Sequence, residues 1–324
     1  MRRTLAAVAV LLLATAGYLA WRLRDRPSLA PWPTLAAQPV TGPAVTARFL
    51  GVTSLAVSDG TTTLVTDGFF TRPGLLRVIA GTIEPDAQAV DAALERAQLD
   101  RAAAIFAVHS HYDHAMDSPL VAARLGALLV GSDSTANIAR GVRFPEERIR
   151  VVTPGEPMRF GAFEVTLLES RHFPHGVAMG TITAPLVPPA RATAYREGGS
   201  YSILVAHPLG TLLIQASSGW KDGALAGRHA DVAFIGVAGL STKDASYTET
   251  YLREVVDAVG AKLVIPIHWD DFTRPLTEPL VAMPRLLDDL DVTMARLTSH
   301  LTPRGVRVAF LLPFAPVQIL PLRP

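Results

Sequence analysis

Three of the nine histidines in this chain lie within six residues of one another, together with an aspartate. The run from His109 to His114 reads His-Ser-His-Tyr-Asp-His, with Asp113 as its carboxylate. Imidazole and carboxylate groups are ligands that Zn²⁺ accepts, at roughly 2 Å. An apolar strand predicted over residues 104–108 leads into the run, so these polar side chains would be costly to bury unless they bound something. We therefore expect a metal site at a strand end; a polar surface turn is the alternative.

The composition of the 324 residues restricts both the ligands and the function classes. Cysteine is absent, which excludes disulfides, thiolate metal sites and a cysteine nucleophile, so any metal must be held by His, Asp or Glu. Lys and Arg number 30 against 29 Asp and Glu, so there is no basic excess that would indicate nucleic-acid binding. Hydrophobic residues make up 49% of the chain and charged residues 18%, which excludes a disordered chain and allows a full core.

The segments around the histidine run alternate between strand and helix patterns. Residues 45–57 are rich in β-formers, and Asp59-Gly60 predicts a hairpin turn before a second strand. Further strands are predicted at 127–130, 163–168, 202–206, 211–215, 232–237, 262–267 and 306–312. Helices are predicted at 86–99, 117–125, 246–260 and 285–299, the third beginning with a capping box of Ser246 and Glu249. This order predicts a layered α/β fold, in which the irregular stretch 173–200 would be an active-site lid.

Residues 1–26 have the pattern of a signal peptide or an N-terminal membrane anchor. Residues 4–21 carry no charge, arginines flank them on both sides, and Ala14-Thr15-Ala16 is a candidate cleavage site. A buried helix would keep a polar face, which this segment lacks. We favour an uncleaved anchor, which predicts an exported protein that is membrane-anchored, periplasmic or extracellular. Five prolines in residues 27–44 predict an extended linker, which leaves 45–324 as one domain.

The pattern His-x-His-x-Asp-His resembles the signature of the metallo-β-lactamase superfamily, and the resemblance extends over most of residues 45–300. It implies a four-layer αββα sandwich with a dinuclear metal site along one edge. His172 follows a predicted strand and matches the third histidine of the family, and His268 follows another and matches the last. The first metal would then have the ligands His109, His111 and His172. The second metal would have the ligands Asp113, His114 and His268.

The resemblance also implies how such a site would work. Two zinc ions would hold a hydroxide that cleaves an ester, lactone, amide or phosphodiester bond, and Asp113 would bind a metal and orient this nucleophile. Asp67, in Thr66-Asp67-Gly68, resembles a strand-end aspartate that supports the site without binding metal. His175 is an alternative third ligand, although the strand-end position favours His172. The expected substrate-pocket residues are His175, Tyr195, Lys243 and Ser217.

One position departs from the pattern of the family. Where many members have an aspartate that bridges the metals, the run from Gln215 to Gly219 has Ser217. A neutral serine does not offset the charge of a dication, so the second zinc should bind more weakly, and a mononuclear site is the alternative. This ligand set resembles the third subclass of true metallo-β-lactamases, which makes a β-lactam hydrolase one alternative. The runs 197–199 and 266–269 are more similar to the lactonase and phosphodiesterase branch.

The remaining expectations concern the partners and the function class. We expect a small-molecule or lipid-like substrate, no nucleic-acid partner, and contact with a membrane through the N-terminal segment. A metal-binding redox enzyme and a non-catalytic envelope protein are alternatives from other classes. The missing bridging carboxylate argues against a di-iron centre, which favours oxygen ligands. The retention of six candidate ligands argues against a non-catalytic role.

Overall fold

Two seven-stranded β-sheets lie at the centre of the protein, and apolar side chains from both form one continuous core. The computed structural model describes residues 13–15, 17–37, 39–40 and 42–322. The strands are β1 (Thr34–Leu35), β2 (Val45–Phe49), β3 (Leu55–Ser58), β4 (Thr63–Thr66), β5 (Ala104–Phe106), β6 (Leu128–Gly131), β7 (Ile149–Val151), β8 (Pro157–Phe160), β9 (Phe163–Ser170), β10 (Ser200–His207), β11 (Gly210–Gln215), β12 (Val232–Gly236), β13 (Leu263–Ile267), β14 (Arg307–Val308), β15 (Phe310–Leu311) and β16 (Val317–Leu320). The labelled helices are α1 (Leu75–Ala80), α2 (Ala87–Arg96), α3 (Tyr112–Ala115), α4 (Ser118–Arg124), α5 (Asp133–Gly141), α6 (Ala245–Val255) and α7 (Leu290–Leu301).

The strand order explains why one edge of each sheet collects loops from several strands. The first sheet has the order β16-β2-β3-β4-β5-β6-β7, and the second has the order β14-β13-β12-β11-β10-β9-β8. Strands β4 to β7 run parallel in the first sheet, and β11 to β14 run parallel in the second. Parallel neighbours place their carboxyl ends at the same edge, which is where open α/β sheets bind ligands.

The burial of the strands follows their sequence patterns. β13 reads Leu-Val-Ile-Pro-Ile and is buried at every residue, as expected for a strand that is covered on both faces. β9 alternates instead, with Phe163, Val165 and Leu167 buried and Glu164 and Thr166 half-buried. This alternation turns one face of β9 towards the shared core.

Helices form the two outer layers. α2 and α4 bury Val90 and Val121 in a cluster with Ile105 of β5, on the side of the first sheet away from the shared core. α6 and α7 bury Leu252 and Met294 in the core that contains the second sheet. The predicted α/β class and the four-layer αββα sandwich are therefore confirmed.

Several predicted element boundaries are wrong; the first strand, expected over 45–57, is divided into β2 and β3. α6 begins at Ala245 because Asp244, rather than Ser246, is its N-cap, so the expected capping box of Ser246 and Glu249 does not form. α7 begins only after Asp289, which caps it, and not at residue 285. The single strand expected at 306–312 is divided into β14 and β15, which belong to different sheets.

Part of the Pro-rich segment 27–44 is packed on the domain rather than extended as a free linker. Pro27 is buried, and β1 pairs in parallel with β15. The partly buried apolar side chains that pack against the core are Leu29, Trp32 and Leu35. Just before the segment, Arg26 forms an ion pair of 2.7 Å with Asp271. We call residues 26–35 the N-terminal strap; its apolar side chains hold it on the domain, which the prolines alone do not indicate.

The expected signal peptide or anchor lies largely outside the described residues. Of residues 1–26, the structure describes 13–15 and 17–26, and residues 17–22 are helical. Within the described part of the chain, no helix combines the length and apolar character that a membrane span requires. Export and membrane anchoring therefore remain predictions from the sequence.

Replacing Trp32 by alanine should lower the free energy of unfolding by about 2 kcal/mol, because it removes a half-buried indole from the core. Trp21→Ala is the matched control, since the Trp21 side chain is 59% exposed. The control should change the free energy by less than about 0.5 kcal/mol. Urea unfolding of the two variants and the parent chain measures both values. Equal effects would contradict the packing of the strap.

Candidate metal centre

Neighbouring parallel strands β4 and β5 deliver polar residues to one edge of the first sheet. Asp67 follows β4, and its Oδ1 accepts a hydrogen bond of 2.9 Å from the backbone N–H of Val108, just after β5. His109 comes next in the chain, and the short helix α3 then carries Asp113 and His114 in its single turn. The predicted cluster is therefore placed at a buried strand end.

Two further histidines come from the second sheet, where His172 follows β9 and His268 follows β13. The end of β9 lies against Gly219, where an added Cβ would be only 2.5 Å from the backbone oxygens of Arg171 and His172. A glycine is required there, because any side chain would displace the segment that carries His172. His268 has a φ of 57°, which is uncommon for a residue with a Cβ.

His109, His111 and His172 form one compact set, here called the three-histidine group. One ligand atom from each lies within 4.8 Å of the others. His172 Nδ1 donates a hydrogen bond of 2.7 Å to the carbonyl oxygen of Phe173, so its Nε2 remains available. His111 Nε2 lies 3.2 Å from the carbonyl oxygen of Ala178, which leaves Nδ1 for a metal.

Asp113, His114 and His268 form a second set, here called the mixed group, which meets the same 4.8 Å limit. Asp113 Oδ2 lies 3.6 Å from His114 Nε2 and 3.4 Å from His268 Nε2. The other nitrogen of His114, Nδ1, forms hydrogen bonds with Asp67 Oδ2 at 2.9 Å and with Thr53 Oγ1 at 2.8 Å. Asp67 thereby fixes the orientation of a ligand candidate without belonging to either group, as the sequence predicts for it.

The donor atoms fit a bound divalent metal. Both ring nitrogens of His109 and Nε2 of His114 are buried and have no hydrogen-bond partner within the described structure. Buried polar atoms are normally paired, so unpaired ones need an explanation. Borderline metals such as zinc accept imidazole nitrogen and carboxylate oxygen. Two adjacent groups of such atoms are therefore a candidate dinuclear centre.

Electrostatics favour the metal-binding form of the three-histidine group. Burial and the neighbouring histidines lower the pKa of His109 well below its usual value. Burial likewise lowers the pKa of His111 to about 4 and that of His172 to about 3. These rings are neutral at neutral pH, and neutral imidazole is the form that binds metal.

In the mixed group, by contrast, the surroundings raise the pKa of a histidine. Burial alone would lower the pKa of His114, but the Asp113 and Asp67 carboxylates outweigh it and raise this pKa above the usual value. Burial would raise the pKa of Asp113, but His114 and His268 outweigh it and hold this pKa well below its usual range. A metal at this group must therefore compete with a proton on His114.

A buried ion pair lies behind the mixed group. Arg72 Nη2 is 2.6 Å from Asp270 Oδ2, with both side chains almost fully buried. Asp270 Oδ1 accepts a hydrogen bond of 2.7 Å from Val52 N, and the Val52 carbonyl oxygen accepts one of 2.5 Å from His268 N. The ion pair thus acts on the backbone of a ligand candidate. Sequence reasoning missed both residues, although the position of Asp270, two residues after His268, was a usable signal.

Three of the four expected pocket residues line a cavity, and the fourth does not. A cavity of 430 Å³ opens beside both ligand groups, and His175, Tyr195 and Ser217 line it. His175 belongs to neither ligand group; its ring centroid lies 4.6 Å from that of His172. Ser217 Oγ accepts a hydrogen bond of 2.9 Å from Phe173 N.

Lys243 does not line this cavity, contrary to expectation. It borders a separate depression, where its Nζ donates a hydrogen bond of 3.2 Å to the carbonyl oxygen of Pro174. The same Nζ lies 4.9 Å from the centroid of the Phe173 ring, which does line the cavity. Lys243 therefore contacts the wall of the cavity without belonging to it, because Phe173 occupies the inner position.

Two seven-stranded sheets between helical layers, with two groups of histidine and aspartate along one edge, define the metallo-β-lactamase fold. The chain therefore has the fold that its histidine motif predicts.

Among solved structures, the chain is similar to a metallo hydrolase from the hyperthermophilic archaeon Ignicoccus hospitalis. The two share 13% sequence identity and a TM-score of 0.53, over 85% of this chain and 98% of that one. It is also similar to CmlA, a di-iron β-hydroxylase from Streptomyces venezuelae, at 15% identity and a TM-score of 0.54. That match covers 87% of this chain but 55% of the hydroxylase, so the chain spans about half its length. At these identities the likeness shows the fold alone.

No protein-family profile matches the sequence, and no match is found among curated proteins.

Acidification should release metal from the mixed group before the three-histidine group. Three histidines with an ordinary pKa of about 6.5 would each be roughly 90% protonated at pH 5.5, and a site they formed would weaken by about 10³-fold. The pKa is about 4 for His111 and about 3 for His172, so both rings stay neutral at pH 5.5. The three-histidine group therefore avoids this loss of affinity. The raised pKa of His114 means that the affinity of the mixed group falls as the pH drops through it. Zinc titrations at pH 7.5 and 5.5 measure the affinities of the two groups. An equal loss of affinity at both groups would contradict the predicted order of release.

Replacing Arg72 by methionine should destabilise the protein and loosen the mixed group. Removing one partner of a buried ion pair costs about 3–5 kcal/mol of the free energy of unfolding, because the remaining charge is left buried. Loss of the Asp270 contact should also release zinc from the mixed group while the three-histidine group keeps its metal. Arg77→Met, at an exposed arginine of α1, is the control and should change neither property. Urea unfolding and zinc content report the two effects, and unchanged zinc binding in Arg72→Met would contradict the positioning role.

Proposed function

We propose that this protein is a metal-dependent hydrolase that binds two zinc ions and cleaves an ester, lactone, amide or phosphodiester bond. The observation that carries the proposal is the presence of two adjacent ligand groups with buried nitrogens that lack other partners in the described residues, at the wall of a cavity. The cavity volume of 430 Å³ falls within the range of about 300–1,000 Å³ typical of small-molecule sites.

The chain's own residues would position the reactants. Bound divalent metals supply an acidified water and polarise a carbonyl or phosphoryl oxygen. Asp113 lies between His114 and His268 and also lines the cavity, so its carboxylate can both bind metal and accept a hydrogen bond from the nucleophile. The rings of His111 and His172 form the adjacent wall, which places the attacked bond against both groups.

Zinc is the metal that the ligand set favours. Five of the six candidates are imidazoles and one is the carboxylate of Asp113, a nitrogen-rich set that suits zinc. Ser217 adds no negative charge at the position of the expected bridging aspartate, and its Oγ already accepts a hydrogen bond from Phe173 N. Two zinc ions would therefore retain more positive charge than in a site with two carboxylates, so we expect the mixed group to bind its metal more weakly.

The redox alternative is less consistent with these ligands. CmlA, which shares the fold, is a di-iron β-hydroxylase. Di-iron centres favour oxygen ligands, and this chain offers one carboxylate among its six candidates. If the purified protein contained iron rather than zinc, this would favour a redox function over hydrolysis.

We also propose, from residues 1–26 alone, that the protein is exported and remains membrane-anchored, periplasmic or extracellular. The proposed substrate is a small or lipid-like molecule.

Replacing His111 by alanine should lower kcat/KM at least about 100-fold, because the three-histidine group would lose a ligand. Removing the metal with a chelator should abolish hydrolysis, and added zinc should restore it. His229→Ala is the matched control, since the His229 side chain is 64% exposed and pairs with Asp231. The assay uses a panel of a nitrophenyl ester, a lactone, a nitrophenyl phosphodiester and a β-lactam. Hydrolysis that persists without metal would refute the mechanism.

A further inference from the structure

The cavity beside the two ligand groups is apolar on the sides that face away from them. Its walls include the side chains of Val78, Ile79, Phe173, Val177, Tyr195 and Phe272. These residues come from α1, from the loops after β9 and β13, and from the segment before β10. Several separate segments therefore contribute apolar surface to the same space, which is the usual composition of a small-molecule site.

Apart from the proposed metals, the cavity offers no Arg or Lys side chain of the described residues to a charged substrate. Among its lining residues in the described chain, none is Arg or Lys, and Asp113 is its one carboxylate. Proteins usually recognise carboxylate and phosphate groups with Arg or Lys. Lys243 is held on the outer side of Phe173, where it donates to the carbonyl oxygen of Pro174. A substrate with an anionic group beyond the reacting bond would find only apolar wall around that group.

Several polar groups of the wall are hydrogen-bonded within the protein, whereas the hydroxyls of Tyr112, Thr193 and Tyr195 have no such bond within the described residues. Ser217 Oγ accepts from Phe173 N, and Ser218 Oγ donates to the carbonyl oxygen of Ala238 at 2.6 Å. His175 Nδ1 accepts a hydrogen bond of 2.9 Å from Val177 N. These bonds engage part of the polar surface, and the contacts left for a substrate on this wall are apolar or come from uncharged hydroxyl groups.

The apolar surface continues to the outside of the cavity. Ile79 lines it and is 68% exposed, and Val177 lines it and is 55% exposed. Apolar side chains exposed together beside a cavity mark a place where an apolar partner binds. A substrate group that extends out of the cavity would cover them.

We infer that the substrate of the proposed hydrolase is uncharged beside its scissile bond and carries an apolar acyl or aryl group, as in a neutral ester or lactone. This inference rests on the proposed function. It separates such substrates from those that carry a further anionic group beyond the scissile bond, such as β-lactams with a carboxylate. The walls formed by α1, Phe173 and Phe272 would select the substrate, and the two ligand groups would hold the metals that supply the hydrolytic water.

Binding of three hydroxamates to the zinc-loaded full chain tests this inference without relying on turnover. The probes are acetohydroxamate, hexanohydroxamate and the monohydroxamate of adipic acid, which has the same six carbons but ends in a carboxylate. Each fully buried methylene should strengthen binding about fourfold. Hexanohydroxamate should therefore bind at least tenfold more tightly than acetohydroxamate. The adipic probe should bind at least tenfold more weakly than hexanohydroxamate, because its carboxylate would lie against the apolar wall.

Substitutions on α1 provide the matched pair. Ile79→Lys places a cation at the wall. It should weaken the binding of hexanohydroxamate and, relative to that probe, strengthen the binding of the adipic probe. Leu76→Lys introduces the same charge on the same helix, at a side chain that is 82% exposed and does not line the cavity, and it should change neither affinity. Calorimetry gives all the affinities. Equal binding of the three probes, or equal effects of the two lysines, would overturn the apolar substrate class. Failure of the chain to bind zinc would overturn the proposed function instead.

Discussion

The hydrogen bonds of Asp67 are the interaction on which the candidate metal centre depends. The Asp67 carboxylate accepts from Val108 N after β5 and from the hydroxyl of Thr53 before β3, and it bonds Nδ1 of His114 in α3. One buried side chain thereby joins three segments of the chain and satisfies polar groups that would otherwise be costly to bury. Because Nδ1 of His114 is occupied, Nε2 of the same ring faces Asp113. The geometry of the mixed group follows from this orientation.

A second set of contacts fixes the other side of the same group. Val52, Arg72 and His268 all have a positive φ, an uncommon backbone conformation for residues with side chains. Such conformations persist where the surrounding structure enforces them, and they cluster at functional sites. Here the enforcement comes from the ion pair of Arg72 with Asp270, which also binds Val52 N. The two ligand candidates on either side of Asp113 are thus held by two different aspartates.

The sequence predicted what is encoded locally. The histidine run, the strand before it and the histidines after β9 and β13 are short patterns, and the structure brings these six residues together in two groups. The ion pair could not be predicted in the same way, because Arg72 and Asp270 are 198 residues apart, and the position of Asp270 beside His268 does not identify its partner. The position of Lys243 outside the cavity depends on one ring, Phe173, that no local pattern marks.

The helix starts were mispredicted, and the packing of the strap on the domain was not predicted. Asp244 and Ser246 are both good capping residues, and local preference does not decide between two candidates so close together. Five prolines in residues 27–44 indicate an extended chain, but an extended chain can also pair with a strand. β1 does so with β15, and Trp32 reaches the core beside it. The hydrogen bond from Tyr247 N to Asp244 decides the first case, and tertiary contacts decide the second.

The N-terminal strap bears on the predicted cleavage or retention of residues 1–26. Its first contact, the ion pair of Arg26 with Asp271, lies ten residues beyond the candidate processing site Ala14-Thr15-Ala16. A peptidase that cuts there would leave Arg26, Pro27 and Trp32 on the mature chain. The processed and unprocessed forms would then share one folded domain and one metal centre, and they would differ only in whether that domain is released from the leader.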